Sequence, residues 1–408
     1  MAFIQLLNGI LKMKLINRLI EVCEICGSSA VEFFQHPNTP LQNYNLKNRS
    51  GNGSENITLL YCESCQFAFT KEILFDKYIF NQHYNFRTSS TITLRESLNQ
   101  LAERIATSMN RQPYQILDIG CNDGYLLSLF KSELKVGIEP VQRTQGRQSD
   151  IYYITDFAPE ALKEIQDKKF DLVCMTNVLG HLDNASSTME AAYNLLEDDG
   201  VISIEVLDLD VMIEDLEFDK FTPEHRRYFN SYSLQKYLEM FNLEALHMEK
   251  IPIHGGSLRC IARKYSGSHE RKSISSHRNP KFKSEIESFK NRTDTHLLNL
   301  KKTIMKYRSE GKKVVGVGAS NRGFLTLHAL GLDESVIEAV TDRPNSNHIG
   351  GFVPGTDIPI KTDDLLFHTS EVVALLLAWN IAAEIEKNLL SKGFRGIFLK
   401  PLPELNSL

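Results

Sequence analysis

Apolar residues recur along this chain with changing rhythms. Over residues 22–90 they show little helical period and are mixed with Asn, Gly, Ser and aromatics, the pattern of a small domain held by something other than a large core. From Ser90 the rhythm turns helical: Leu94, Leu98, Leu101, Ile105 and Met109 recur at three- and four-residue intervals. Gln115-Ile116-Leu117-Asp118-Ile119 then reads as a buried strand, followed by a Gly-containing turn and a helical run, Leu126 to Phe130. Strand, turn and helix in this order open a parallel α/β fold.

The alternation continues through Val136–Glu139, Phe170–Met175 and Gly200–Glu205, with helical stretches between, and ends near Lys264. A Ser/His/Lys-rich linker and a helix near 282–309 follow. A second α/β start then appears at Lys312–Ala319. The pattern predicts three units, residues 1–89, 90–265 and 282–408. The second and third are Rossmann-like.

Composition narrows the function classes. The 408 residues are 42% hydrophobic and 24% charged, values ordinary for globular domains. A net charge of −5 supplies no global attraction to nucleic acid. The one basic stretch, with Lys264, Arg271, Lys272, Arg278, Lys281 and Lys283, reads as a solvated linker. Met1–Glu21 is interrupted by Lys12, Lys14 and Arg18 and lacks a small-residue cleavage site, so it does not read as a signal peptide. No segment has the roughly 18 uninterrupted apolar residues of a membrane helix. The expectation is a cytoplasmic protein without nucleic-acid or membrane partners, monomeric by default.

Four of the seven cysteines form two Cys-x-x-Cys pairs, Cys23/Cys26 and Cys62/Cys65, with 35 residues between them. This spacing predicts one structural Cys₄ zinc site, because two intervening residues let one turn present both sulfurs to one ion. A full shell of four thiolates leaves no open position for chemistry. Cys121, Cys174 and Cys260 read as buried small residues or as parts of a site wall.

The loop Asp118-Ile119-Gly120-Cys121-Asn122-Asp123-Gly124 follows a strand and opens a helix, and Glu139 ends the next strand 19 residues after Gly120. A dinucleotide fingerprint wants Gly-x-Gly-x-x-Gly, whereas Asn122 and Asp123 bring bulk and negative charge into this loop. S-adenosylmethionine carries an ammonium group and no phosphate, so acidic Asp118 or Asp123 suits it better, and Glu139 suits the ribose hydroxyls.

Several segments together resemble the nucleotide-sugar C-methyltransferases, which place a methyl group on carbon 3 of a nucleoside-diphosphate 4-keto-6-deoxyhexose. They are the two Cys pairs, Ile119–Gly124, Asn177-Val178-Leu179-Gly180-His181, Glu224-His225 with Tyr228-Phe229, and His254-Gly255-Gly256-Ser257-Leu258-Arg259. Further on come Gly318–Gly323, Pro354–Ile360 and Ala378-Trp379-Asn380. The resemblance covers nearly the whole chain. It implies a zinc-binding N-terminal domain, a central class I methyltransferase domain, and a C-terminal Rossmann-like domain that helps to enclose the sugar nucleotide.

For the site, the resemblance implies His225 as the proton-abstracting base, with His181 as second choice and Glu224 to orient or charge-balance His225. Asp118, Gly120, Asn122, Asp123, Gly124, Glu139 and Asn177 would surround the cofactor. Tyr84, Phe86, Tyr228, His254, Gly255, Ser257, Arg259, Ser320, Arg322 and Asn380 would meet the substrate, with Arg259 and Arg322 as diphosphate partners. Two departures stand out: Thr222 occupies a position where the family has tyrosine, and Phe86 lies near another such position. Tyr84, Tyr228 and the Thr222 hydroxyl are the candidate substitutes.

The chemistry fits these residue types. Carbon becomes nucleophilic when a proton beside a carbonyl is removed, which needs a base and a donor for the enolate oxygen. Histidine, with an ordinary pKa of about 6.5, suits the base. The substrate's nucleotide, thymidine or guanosine diphosphate, stays open, with thymidine the family habit. Two other readings compete. One is a zinc-containing RNA methyltransferase, which lacks a basic face here. The other is a nucleotide-sugar oxidoreductase or binder built on Gly316-x-Gly318 and Asp342, whose third glycine is displaced to Gly323.

Overall fold

The computed structural model describes residues 16–40, 54–81, 84, 86–142, 148–267, 278–367 and 371–402. The N-terminal stretch Met1–Glu21 lies largely outside this set, and so do Arg271 and Lys272 of the basic linker. No helix among the described residues is long and apolar enough to cross a membrane.

The N-terminal region is built of strands: β1 (Ile16–Leu19), β2 (Val31–Pro40), β3 (Ser54–Cys62), β4 (Phe67–Thr70) and β5 (Glu72–Leu74). β1 pairs antiparallel with β5. β2, β3 and β4 form an antiparallel sheet.

The central unit opens with the helix Ile92–Met109, whose Leu98, Leu101 and Ile105 are buried, as its apolar period predicts. Thr91 caps it by accepting the Leu94 amide at 3.2 Å. Strands β6 (Gln115–Ile119), β7 (Leu134–Ile138), β8 (Tyr152–Ile154), β9 (Phe170–Thr176) and β10 (Leu196–Leu207) follow. They run parallel in the order β10-β9-β6-β7-β8.

The expected helix Leu126–Phe130 is a single turn, Tyr125–Ser128. Only nine residues separate Gly124 from β7, and the Ser132 hydroxyl, bonded to the Pro113 carbonyl at 2.6 Å, draws the chain towards the start of the next strand.

The chain then leaves the central sheet for β11 (Arg227–Tyr228), which pairs antiparallel with β4 and becomes the edge of the N-terminal sheet. It returns as β12 (Leu243–Ile251) and β13 (Ser257–Lys264), which extend the central sheet antiparallel beside β10. The two sheets are thus interlocked. Cys23, Cys62, Cys65, Phe67 and Phe69 share one apolar core with Val173, Ile204 and Phe229, so the N-terminal strands bury their apolar face against the central unit.

The 28-residue helix Phe282–Ser309 buries Phe282, Ile286, Phe289, Thr293, His296, Leu300 and Ile304, a three-and-four spacing that lays one stripe against its neighbours. It leads to the C-terminal sheet of β14 (Lys313–Val317), β15 (Ile337–Asp342), β16 (Ile360–Thr362), β17 (Val372–Leu376) and β18 (Ile397–Leu399). All five are parallel, in the order β16-β15-β14-β17-β18.

In each α/β sheet the strand order reverses beside the first strand, at β6/β9 and at β14/β17. Crevices at the carboxyl ends of strands open at such switch points.

Candidate functional site

Both switch points face one cleft of about 990 Å³. Its central-unit wall carries Gly120 and Asn122 after β6, Glu139 after β7, Asn177 after β9, and Leu207 at the end of β10. Its opposite wall carries Gly318–Arg322 after β14, Asp342–Arg343 after β15, and Ala378 and Asn380 after β17. His181, Lys220, Thr222, Glu224, His225 and His254 stand between the two.

At the first loop Gly120 is held at φ 74°, and a Cβ there would meet the Val178 side chain at 2.4 Å. Asn122 also takes a left-handed conformation, φ 54°, which Asn tolerates better than most residues. Its amide donates to Glu139 Oε2 at 3.1 Å, and the Val141 amide donates to Oε1, also at 3.1 Å. These bonds fix the Glu139 carboxylate at the cleft wall. Asn177 is left-handed as well, φ 56°, and lines the cleft.

Three of the expected cofactor residues sit elsewhere. Asp118 is buried behind the wall, where burial and the neighbouring Glu139 and Asp123 charges push its pKa up to about 8. Asp123 accepts from the Thr88 hydroxyl at 2.6 Å, the Ser89 hydroxyl at 2.7 Å and the Ser89 amide at 3.1 Å. It therefore fastens segment 88–89 rather than meeting an ammonium group. Gly124 turns the chain at φ 77° against Tyr153.

The three histidines are half-buried, and desolvation is the first cause of their depressed pKa values. His181 and His254 are lowered to about 4, and His225 well below the ordinary value, with His181 and His254 adding to the effect on His225. All three are neutral near pH 7. The His181 and His225 rings lie 4.2 Å apart. His181 Nδ1 is 2.7 Å from the Glu224 carbonyl, which can only accept, so Nδ1 carries the proton and Nε2 is the basic nitrogen. His254 has the strained angles φ 57°, ψ 16°.

The His225 backbone is anchored by the N-terminal unit. Its carbonyl accepts from the Thr70 hydroxyl at 2.9 Å and the Tyr228 hydroxyl at 2.6 Å. Arg226 donates to the Leu74 carbonyl and to Asp76, at 2.9 and 2.5 Å. Arg227 grips both oxygens of Glu24 at 2.5 and 2.7 Å. Glu24 lies inside the first Cys-x-x-Cys turn, so the cysteine cluster and His225 are joined by one fork. Tyr228, expected at the substrate, is fully buried and supports the His225 carbonyl instead.

Other substrate-facing expectations divide similarly. Tyr84, Phe86, His254, Ser320, Arg322 and Asn380 line the cleft. Arg259 does not: β13 sets it directly opposite Glu205 of β10, and their side chains pair at 2.6 Å with both about 2% exposed. A cross-strand partner was not legible without the register. The buried Ser257 hydroxyl donates to the Ile253 carbonyl at 3.1 Å. Gly255 lies at φ 92°, and a Cβ there would come within 2.5 Å of Glu217 Oε1 and 3.2 Å of Lys220 Nζ.

Arg322 reaches the cleft but is not a free fork. It donates to Asp219 at 3.1 Å and to the His254 carbonyl at 3.2 Å, and stacks 4.2 Å from the Trp379 ring centre. Asp219, fully buried, also accepts from Trp379 Nε1 at 2.7 Å. This arrangement ties the C-terminal unit to the central one.

The sequence reading passed over Lys220 and its partner Glu217, which form a buried ion pair. The available signal was Phe218-Asp219-Lys220-Phe221, two charges enclosed by phenylalanines.

The glycines of the second loop answer to packing. A Cβ on Gly316, Gly318 or Gly323 would meet Leu377, Ala378 or Leu377 at 2.7, 2.7 and 2.5 Å. They admit the end of β17, which weakens the oxidoreductase reading. Nor is the linker a free basic face among the described residues, since Lys264 pairs with Asp198 at 3.1 Å and Lys283 with Glu63 at 2.8 Å.

Cys23, Cys26, Cys62 and Cys65 place their sulfurs within 4.8 Å of one another, with Cys26 and Cys62 at 3.6 Å. A tetrahedron with metal–sulfur bonds of about 2.3 Å separates its sulfurs by about 3.8 Å. The cluster therefore fits one metal ion. Cys121, Cys174 and Cys260 are buried apart from it.

Comparison with known proteins agrees with this architecture. Residues 82–248 match the family model described as a methyltransferase domain, and residues 252–403 the one described as a C-methyltransferase C-terminal domain. The C-methyltransferase NovU of Streptomyces niveus is 25% identical over 411 residues, spanning 95% of this chain and 97% of that protein. Among solved structures, a Burkholderia thailandensis 1,6-didemethyltoxoflavin-N1-methyltransferase with bound S-adenosylhomocysteine overlaps 42% of this chain and 80% of its own, at 16% identity and a TM-score of 0.34. An S-adenosylmethionine-dependent methyltransferase from Archaeoglobus fulgidus overlaps 42% and 94%, at 19% identity and a TM-score of 0.34. With a methyltransferase domain, a C-methyltransferase C-terminal domain and an end-to-end C-methyltransferase relative, the chain belongs to the S-adenosylmethionine-dependent C-methyltransferases.

Proposed function

We propose that this enzyme methylates carbon 3 of a nucleoside-diphosphate 4-keto-6-deoxyhexose through an enolate, in the formation of branched deoxysugars for surface polysaccharides or natural products. The observation that carries the reading is one cleft lined by a neutral, half-buried histidine pair and by two α/β loops of different character. Glu139 and Asn177 suit the adenosyl end of the methyl donor, because a fixed carboxylate accepts from ribose hydroxyls and no phosphate must be housed there. Bound S-adenosylmethionine supplies an electrophilic methyl carbon.

His225 removes the proton from carbon 3, its neutral imidazole being the form a base needs. His181 flanks it and is the alternative base. Glu224 orients the pair, through its carbonyl on His181. Thr222 lines the cleft, and its buried hydroxyl has no hydrogen-bond partner among the described residues. In the C-terminal unit Ser320, Arg322 and Asn380 border the space for the sugar nucleotide, thymidine or guanosine diphosphate.

We further infer that the four cysteines hold one structural zinc. Their complete thiolate shell stabilises the N-terminal unit and, through Glu24 and Arg227, the His225 segment.

The test is proton exchange. Wild type given the keto-sugar nucleotide and adenosylhomocysteine in deuterium oxide should wash deuterium into carbon 3. His225→Ala should lose that exchange and lower methyl transfer by about 10²–10⁴-fold. Near-normal turnover by folded His225→Ala would move the role to His181.

A further inference from the structure

We propose that Lys220, a buried residue of the cleft wall, is a catalytic residue: its ammonium group donates to the oxygen on carbon 4 as the enolate forms. This rests on the substrate reading above. The requirement is chemical. Removing the carbon 3 proton leaves its electron pair in the enolate, and the negative charge collects on the carbon 4 oxygen, so a donor must already stand there. Thr222 holds a position where a phenol is expected, and a threonine hydroxyl is much shorter. The phenol of Tyr228 is bonded to the His225 carbonyl.

Lys220 has the features that the role needs. It lines the cleft, yet its side chain is only 2% exposed. It sits two residues before Thr222, and its charge acts directly on both His225 and His254. Glu217, fully buried, is its ion-pair partner among the described residues, and an ammonium group has three donors, so N–H groups remain beyond that pair. Gly255 makes room for the pair, since any Cβ would press on Glu217 Oε1 and Lys220 Nζ. A positive charge kept out of water acts strongly on an oxyanion nearby. Burial, the largest influence, lowers the Lys220 pKa to about 8 while Glu217 opposes it, so the charged form predominates at neutral pH.

The step balances without a further reactant. His225 takes the proton, and Lys220 holds the enolate oxygen by a hydrogen bond without transferring its own proton. The enolate carbon then bonds to the sulfonium methyl as the sulfur–methyl bond breaks. The ketone re-forms, adenosylhomocysteine leaves, and His225 releases its proton to solvent.

The experiment compares Lys220→Met, Lys220→Arg and the double variant Lys220→Met/Glu217→Gln with wild type. The double variant removes the buried pair as a unit, so that no lone charge is left in the interior. Carbon 3 exchange and methyl transfer are followed from pH 6 to 9. Both Met-containing variants should lose about 10²–10³-fold in kcat and in exchange, with KM for the sugar nucleotide within about threefold of wild type. Wild-type rate should fall as pH rises through about 8, whereas Lys220→Arg, charged throughout, should lack that alkaline limb. A double variant that melts like wild type and keeps kcat within about threefold overturns the proposal. If wild type neither exchanges nor methylates the keto-sugar, the substrate reading fails first and this assignment with it. An active wild type with an unaffected double variant removes Lys220 alone.

Discussion

The two parallel sheets present the same kind of corner to the cleft, a glycine turn after the first strand of a switch point, yet the corners differ in charge and shape. Asp118 in β6 and Asp123 after it lie close to Glu139 after β7, of the three only Glu139 lines the cleft, and the helix that follows β6 is one turn long. After β14 residues 318–323 hold no acid, Ser320 caps a ten-residue helix by accepting the Gly323 amide at 3.1 Å, and Arg322 stands in its first turn. A longer helix directs more aligned backbone dipole at its N-terminus. Glu139 thus lines the cleft at one corner and Arg322, with Asp342 and Arg343, at the other, and the loop residues set the difference, not the fold.

Breaking the support under one corner should have the largest effect. Cys23, Cys62 and Cys65 share the central core, while the C-terminal sheet packs in separate clusters. Cys62→Ser should abolish metal retention and cost more than about 5 kcal/mol of stability, since structural zinc contributes folding free energy directly. Metal analysis and hydrogen exchange check this. Protection should be lost first in β3, β4 and β11 and last in β14, β15 and β17. A metal-free wild type that is folded and active would refute the zinc assignment.

Removing the acid of the first corner comes next. Glu139→Ala should weaken adenosylhomocysteine binding by about 10–100-fold, the scale of one or two hydrogen bonds to a charged group, and leave sugar-nucleotide affinity nearly unchanged. Calorimetry with each ligand reads both.

The histidines give a pH signature. His36, His181 and His254 are held at about 4, below the ordinary value, so the unfolded chain binds more protons than the folded one between about pH 4 and 6.5. Stability should therefore be fully present above pH 6.5 and fall as pH drops towards 4. Denaturant midpoints at pH 7.5 and 5.0 test the sign. The smallest effect belongs to the second corner. Ser320→Ala should cost about 1 kcal/mol and weaken the sugar nucleotide about fivefold, with adenosylhomocysteine unaffected.

What the sequence disclosed follows from how local each signal is. The strand β6, the helix Ile92–Met109 and the four cysteines were legible because period and spacing are properties of short segments. The interlocking was not: nothing near Arg227 announces that it will pair with Phe69 and make Tyr228 a prop for His225. Arg259 looked like a phosphate partner for the same reason, its cross-strand neighbour Glu205 being 54 residues away. Asp123 was read as a ligand contact because its neighbours in sequence suggested a cofactor loop, whereas Thr88 and Ser89 claim it. Lys220 went unnoticed because a lysine between aromatics is ordinarily a surface residue, and only tertiary packing buries it.

The central claim is tested most directly by paired substrates. Methyl-labelled S-adenosylmethionine is offered with thymidine-diphosphate 4-keto-6-deoxyglucose, with its guanosine counterpart, and with the matching 4-hydroxy sugars, and products are located by mass spectrometry and NMR. The account predicts a single methyl group on carbon 3 of a keto sugar and none on either 4-hydroxy sugar, because only the ketone acidifies the neighbouring C–H bond. Equal methylation of the 4-hydroxy sugars, or label appearing on oxygen or on RNA instead, would contradict it.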